Sequence, residues 1–363
     1  SFSSSSAGYF NHDLTLTPST VPGWSGIVAL SGGAADVSGT LVNVPDDVPT
    51  IQGGIDLMDD GDTVLISPGT YVEKLVVENK TLVIGSLYLT TGDISYKSST
   101  IVDGNDEWRV LRLQNADYTV ISGLTIRNGR IISSSGEGDD GGGVYEQSSQ
   151  NVRLEHLVIE DNYSEDNGGG LYISGSSFTM EYCQVRNNYS AFVAGGIYYN
   201  GYNGYFNECI IEGNTGTSQG GGGAQINNTL ITNSIFRNNT IDPGYWGGGA
   251  LSGHDITMVN CQLIGNSGGG VKIGGTQSFF YNVTIANNFD EYDDDDGSWD
   301  GMPGFYLSYG EAFVMNCIIY GNETNIGMAG YASNIAGVTV HYSNIGEGED
   351  NIEVDDGDII VWG

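Results

Sequence analysis

The chain has 363 residues, with 45 Asp and Glu against 11 Lys and Arg, for a formal net charge of −34. A field this negative repels phosphate backbones and anionic membrane surfaces, which argues against nucleic-acid binding, and no stretch approaches the roughly 18 apolar residues of a spanning helix. Hydrophobic residues at 39%, with 22 Tyr and 11 Phe, exclude a disordered acidic chain, and 57 Gly without a triplet period exclude collagen.

The chain opens on SFSSSSAGYF, without an initiator Met or a signal peptide. It therefore reads as a mature or trimmed product, secreted to the extracellular space or the cell surface. Residues 1–40 are rich in Ser, Gly and Thr and read as a flexible leader or an added strand. Residues 41–61 hold a short helix, in which Thr50 is an N-cap and Ile51, Ile55 and Met58 share one face. Gly53 and Gly54 weaken that helix by about 1 kcal/mol each, so it needs tertiary support. Covering the first coil of a stacked β-structure would give it that support and would hide open strand edges.

From residue 62 to 363 the chain repeats. Segments end on Asn162, Asn188, Asn214, Asn239, Asn266, Asn288 and Asn322, each followed by a glycine cluster and an apolar residue, as in GGGVY, GGGLYI and AGGIYY. Three residues before each Asn stands an apolar column running from Ile159 to Ile319. Two residues earlier stands a second column, Leu157, Cys183, Cys209, Ser234, Cys261, Val283 and Cys317. Three earlier again stands a third, from Leu154 to Val314. The period of 2 between the first two columns reads as one strand with a buried face. The repeat averages about 27 residues, and Gly and Asn turns at that spacing suit a single-stranded right-handed parallel β-helix of about 10–11 coils, all-β, with coils about 4.8 Å apart.

Stacking gives each column a structural meaning. The Asn column reads as an inward amide ladder that bonds coil to coil, so its N-x-S/T sequons are poor glycosylation sites. Cys183, Cys209, Cys261 and Cys317 read as small inward fillers; a Cys183–Cys209 disulfide between successive coils is the alternative. Arg127, Glu160, Arg186, Glu212 and Arg237 alternate in sign as a cross-coil charge ladder.

Candidates for chemistry are few. Tyr145, Tyr172 and Tyr198, followed in column by Gln225, Leu251 and Lys272, form an outward tyrosine row for ligand or partner contact, against the plainer reading of ordinary strand residues. Two turn insertions, residues 130–143 and 289–304, lie about six coils apart, roughly 29 Å at the stacking distance. In the second, Asp296, Ser298 and Asp300 resemble the start of a Ca²⁺ loop, but Leu307 stands where an EF-hand has its bidentate Glu, so only a weak extracellular Ca²⁺ site remains. His12, His156, His254 and His341 are isolated in sequence and form no metal spacing or triad. The GEGDDG stretch at 136–141 matches a dinucleotide fingerprint by accident, since it opens no helix.

The segment IQGGID…DGDTVLISPGTYVEKLVV resembles the opening of the pectate-lyase-like superfamily of right-handed β-helices, pectinesterase-like members included. IGSLYLTTGDISY and the GGG-apolar-Tyr coils resemble large secreted β-helix-repeat proteins of bacterial surfaces. The resemblance covers about residues 41–363 and implies fold more than activity, because lyases, hydrolases, esterases and adhesins share it. The paired Asp with His and Arg-x-Lys of polygalacturonases is missing, as is the pectinesterase motif, so no catalytic residue is assigned. The expected function is that of a secreted or cell-surface structural and adhesive β-solenoid, with head-to-tail self-association into filaments. The alternative is a polysaccharide lyase or hydrolase, or a carbohydrate-binding β-helix, with an extracellular polysaccharide as partner.

Overall fold

A computed structural model describes residues 40–363 except 133–137, 176, 219, 243–246, 290–302, 323–325, 329–335, 347–351, 355–358 and 363. Among these residues every sheet is parallel. Sheet A has 13 strands, from Leu41–Val44 to Ile359–Trp362; sheets B and C have 11 each, and a small sheet D has five. Eleven strands in B and C agree with the expected coil number. The fold is the right-handed parallel β-helix expected from the sequence. No helix is long and apolar enough to cross a membrane.

One coil shows the path. Arg153–Glu155 lies in sheet A, Val158–Glu160 in B, Tyr163–Ser164 in D and Leu171–Ile173 in C, before the chain returns to A at Thr179–Glu181. Register is fixed by the inward residues: Leu154 pairs with Ile121 and Met180, and Ile159 with Ile126 and Val185. All six are buried. The A–B corner is tighter than the period of 2 implied. His156 has φ 53°, so Leu157 sits inside a corner rather than on the strand of Ile159. The same left-handed corner recurs at Tyr182, Glu208, Asn233, Asn260, Asn282 and Asn316. Where coils approach through the glycine turns, side chains are excluded: a Cβ on Gly169 would lie 2.3 Å from the Tyr189 carbonyl oxygen.

The Asn column is buried as expected, from Asn162 to Asn322. Each amide uses its full bonding capacity. Asn214 Nδ2 donates to Asn239 Oδ1 (3.0 Å) and to the Val185 carbonyl (2.9 Å), while its Oδ1 accepts from the backbone N–H and Nδ2 of Asn188 (3.0 and 2.9 Å). The pattern repeats at Asn188, Asn239, Asn266 and Asn288.

The four cysteines are free, so the Cys183–Cys209 disulfide does not form. Nor are they merely apolar fillers. Each thiol donates to the carbonyl two residues earlier: Cys183 to Glu181, Cys209 to Asn207, Cys261 to Val259 and Cys317 to Met315, at 3.2–3.3 Å. Ser234 and Ser343 make the same bond in their coils, at 2.8 and 2.9 Å. Where the column carries Cys or Ser, its S–H or O–H donor satisfies the corner carbonyl; the buried Leu157 and Val283 fill the same place without one. Burial pushes the Cys183 and Cys261 thiols up to about 12, which leaves them unreactive.

Helix α1 (Ile51–Leu57) follows the first strand. Thr50 Oγ1 accepts from Gly53 N at 3.1 Å, and Ile51, Ile55 and Met58 are buried. Gly54 permits the close approach, since a Cβ there would lie 3.0 Å from Val64. The helix lies along the outermost strand of sheet C, Leu75–Glu78. Gln52 Oε1 accepts from Val76 N (2.7 Å) and Gln52 Nε2 donates to the Val76 carbonyl (3.1 Å), so a side-chain amide occupies backbone groups of that edge. Glu73 receives the Ile51 and Gln52 N–H groups, and Lys80 Nζ donates to three carbonyls at the helix C-terminus. The outward N–H of Asn43, on the outermost strand of sheet A, is taken by Asp47 Oδ2 at 2.9 Å.

If α1 acts as the expected cap, Gln52→Ala bares the Val76 edge. Urea unfolding should then show a loss of about 1–2 kcal/mol, with concentration-dependent association in sedimentation. A variant that matches the parent in both measurements would remove the capping role.

Candidate functional site

Two surfaces gather side chains able to do more than hold coils together. The first is the tyrosine row on the outer face of sheet C. Tyr145, Tyr172 and Tyr198 pair in register. Their rings stack on one another, with centroids 5.2 Å apart and interplanar angles of 9° and 1°. Each ring face is therefore covered by the next ring, and the row presents edges and hydroxyls. Ligand or partner contact, the reading the sequence suggested for this row, would be made through those edges and hydroxyls rather than through ring faces. Burial pushes the Tyr172 phenol up to about 12, so its hydroxyl stays a donor. Leu251 does not continue the column: it pairs with Ala224 and faces inward, and Ser252 takes the outward place between Gln225 and Lys272. In that coil Ala250 stands level with the last glycine of the neighbouring runs, which moves the column one residue along.

Arg109 closes the row. Its guanidinium lies 4.4 Å over the Tyr145 ring and donates to the carbonyls of Asp140 and Gly141 at 2.7–3.2 Å. Asp140 in turn accepts from the N–H and Nδ2 of Asn167 in the next coil, at 3.1 and 2.9 Å. The described end of the 130–143 insertion is thus tied to the solenoid. Arg130 stacks on Tyr163 at 4.3 Å, and Tyr163 on Tyr189 at 5.5 Å.

The second surface was not legible in the sequence. It lies at the A–B corner, where residues 87–99 leave the repeat to form helices α2 (Tyr88–Thr91) and α3 (Tyr96–Ser99). Gly123 makes room for this excursion, since a Cβ there would lie 2.7 Å from that of Tyr88. The His156 ring lies between Tyr88 (4.5 Å, tilted) and Tyr182 (4.7 Å, stacked at 4°). His156, isolated in sequence, is therefore the centre of an aromatic cluster. Beside it Arg153 Nη2 bridges Glu155 (3.0 Å) and Glu181 (2.9 Å), one coil apart. Both carboxylates are nearly buried. Burial pushes the Glu155 carboxyl up, against the pull of Arg153. Burial, with help from Lys97 and Arg153, lowers His156 to about 4.

The charge ladder on sheet B forms as expected and extends one coil further. Arg127 pairs with Asp103 (2.8 Å), Arg186 with Glu160 (2.6 Å) and Arg237 with Glu212 (2.6 Å). The Ca²⁺ candidates Asp296, Ser298 and Asp300 lie outside the described residues. Among the described residues no three His, Cys, Asp or Glu side chains converge as metal ligands.

No protein-family model matches the chain, and no curated protein matches it in sequence. Among solved structures it is similar to the Dettilon tailspike protein, at 14% identity over 89% of this chain and 68% of that one, with a TM-score of 0.55. It is similar also to the A-module of a mannuronan C-5 epimerase from Azotobacter vinelandii, at 13% identity over 86% and 94% of the two chains (TM-score 0.49), and to polygalacturonase from Erwinia carotovora ssp. carotovora, at 14% over 88% and 96% (TM-score 0.46). Identities this low show the fold alone.

A neutral His156 in the fold makes stability depend on pH. Its folded pKa, about 4, lies below the ordinary 6.5, so the unfolded chain binds the extra proton between those values. Stability should fall as pH drops from 6.5 toward 4. His156→Asn keeps a residue that tolerates the positive φ. The parent should lose more of its melting temperature than this variant across that window; parallel curves would contradict the assignment.

Proposed function

We propose that the chain is a structural β-solenoid of the cell exterior, a stiff scaffold used in adhesion. The observation that supports this reading best is the laddering of its polar and aromatic side chains along the coil axis. Buried amides bond coil to coil from Asn162 to Asn322. Outside, Asn207, Asn233, Asn260, Asn282 and Asn316 form a second amide ladder at 2.5–3.2 Å. Tyrosine rings cover one another, and the sheet B arginines Arg127, Arg186 and Arg237 pair with carboxylates of the preceding coil. Groups joined in this way resist bending and slippage between coils, which is what a spacer or adhesive rod requires. The tyrosine row, with its hydroxyl edges, is the contact surface this reading assigns. Head-to-tail assembly through bare strand edges is its weaker part, since Asn43 and Val76 already have their outward N–H groups taken.

A second reading, action on an extracellular polysaccharide, is favoured by one feature: two nearly buried carboxylates and a histidine at the A–B corner.

Incubation of the purified chain with neutral and acidic glycans distinguishes the two. The scaffold reading expects retention on a glycan or cell surface, reduced several-fold by replacing Tyr145, Tyr172 and Tyr198 together with Phe, and no growth of reducing ends or unsaturated products. Product formation that disappears in Glu181→Gln would overturn it in favour of the second reading.

A further inference from the structure

We propose that Glu146 is a pH-sensitive fastener inside the solenoid, tying two successive coils most firmly when it holds a proton. This goes beyond the scaffold reading and rests neither on the tyrosine row nor on the corner around His156.

Glu146 stands in an inward column. It pairs with Leu113 in the coil before and with Ile173 in the coil after, both buried, and is itself only 1% exposed. The connection from sheet C to sheet A explains why a carboxyl group occupies an apolar position. Between Glu146 and Arg153 the connection is one residue longer than between Ile173 and Thr179, their partners in the next coil. The backbone groups of these two turns are therefore out of step. In the coil before, the N–H of Ala116, three residues after the inward Leu113, donates to Ser149 Oγ at 3.0 Å. The corresponding N–H in the coil of Glu146 is that of Ser149 itself, and the turn stacked against it brings up Gly175, which has no side chain to receive it. The Glu146 carboxylate supplies the acceptors instead. Ser149 N–H donates to Oε1 at 2.7 Å and Gly175 N–H to Oε2 at 2.6 Å. One side chain thus closes two turns on each other, and two buried donors that would otherwise go unpaired are satisfied. Glycine is required at 175, because a Cβ there would lie 2.5 Å from Oε1.

Both donors are neutral, and among the described residues no cation pairs with Glu146. The strands on either side carry Arg112 and Tyr172, and its own strand carries Tyr145; all three belong to the outward column. Asp117, in the turn of the coil before, accepts from the Gln150 N–H at 2.9 Å. The Tyr199 phenol, two coils on, donates to the Tyr202 carbonyl at 2.9 Å. None of these groups neutralises a charge on Glu146. A carboxylate in an apolar interior without a counter-charge favours its protonated form, and that form keeps acceptor capacity for the two N–H groups. Burial accordingly pushes the Glu146 carboxyl up from the ordinary 4.5, against the pull of the N–H bonds. The stability it contributes is complete below 4.5 and is lost as pH rises through the higher folded value. His156 acts in the opposite sense, so the two groups must be read separately.

The full chain, labelled with ¹³C at the glutamate carboxyls, is titrated by NMR, and the Glu146 signal is assigned through its own backbone, so that no variant has to fold. Its midpoint should lie above 4.5. Urea unfolding of the parent and of Glu146→Gln at about pH 8 and about pH 5 then reads the linkage, with His156 common to both chains. On acidification the parent should gain on the variant by at least about threefold in the folding equilibrium constant. A midpoint at or below 4.5, or a difference between parent and variant that stays flat or moves the other way, would overturn the proposal.

Discussion

The amide of Asn214 makes four hydrogen bonds inside the solenoid, three to the coil before, with the N–H and Nδ2 of Asn188 and the Val185 carbonyl, and one to Asn239 of the coil after. A buried polar group left unpaired costs about 1–3 kcal/mol, so this arrangement is demanding: it is stable only when the next coil supplies another Asn at the same height. That requirement propagates from Asn162 to Asn322 and fixes the register of the coils. The residue just before each Asn bends the chain into the turn. It has φ of 53–65° throughout and is Asp161, Asn187, Gly213, Asn238, Gly265, Asn287 or Gly321, residue types that tolerate the left-handed region. The turn conformation and the ladder are thus encoded by adjacent residues.

Once register is fixed in this way, every outward column becomes a ladder as well, and the outer chemistry follows from what each column contains. Alternating Arg and Glu neutralise each other, Tyr covers Tyr, and the left-handed corner residues from Asn233 to Asn316 bond through their amides. Exposed pairs of this kind add little stability one by one. Their effect on function is larger, because they leave few side chains available for a ligand. The excursion at 87–99 breaks the pattern. It supplies Tyr88, which has no counterpart in the next coil, and that is why the corner around His156 differs from the rest of the surface.

The fold and its inward columns were legible from sequence because a stacked structure writes its contacts as a repeat. Asn162 to Asn322 and the sign alternation of the charge ladder could be read without coordinates. Hydrogen-bond roles inside a column were harder. Cys183 and Cys209 suggested filler or a disulfide, although Ser234 in the same column already pointed to a donor for the corner carbonyl. Ring orientation was not legible: Tyr172 and Tyr198 read as an outward row, but that their faces turn onto one another depends on side-chain torsions the pattern does not carry. The corner cluster was invisible because Tyr88 lies outside the repeat, and it meets His156 only through the fold. Sequence adjacency placed Arg153 beside Glu155, but its partner Glu181 comes from the following coil.

The dependence of the solenoid on its amide ladder is open to direct measurement at its middle rung. Asn214→Leu keeps the side-chain volume and removes all four hydrogen bonds. Urea unfolding followed by circular dichroism should show a loss of about 3 kcal/mol or more, or no cooperative transition at all. A variant whose unfolding free energy lies within about 0.5 kcal/mol of the parent would show that the apolar columns alone set the register.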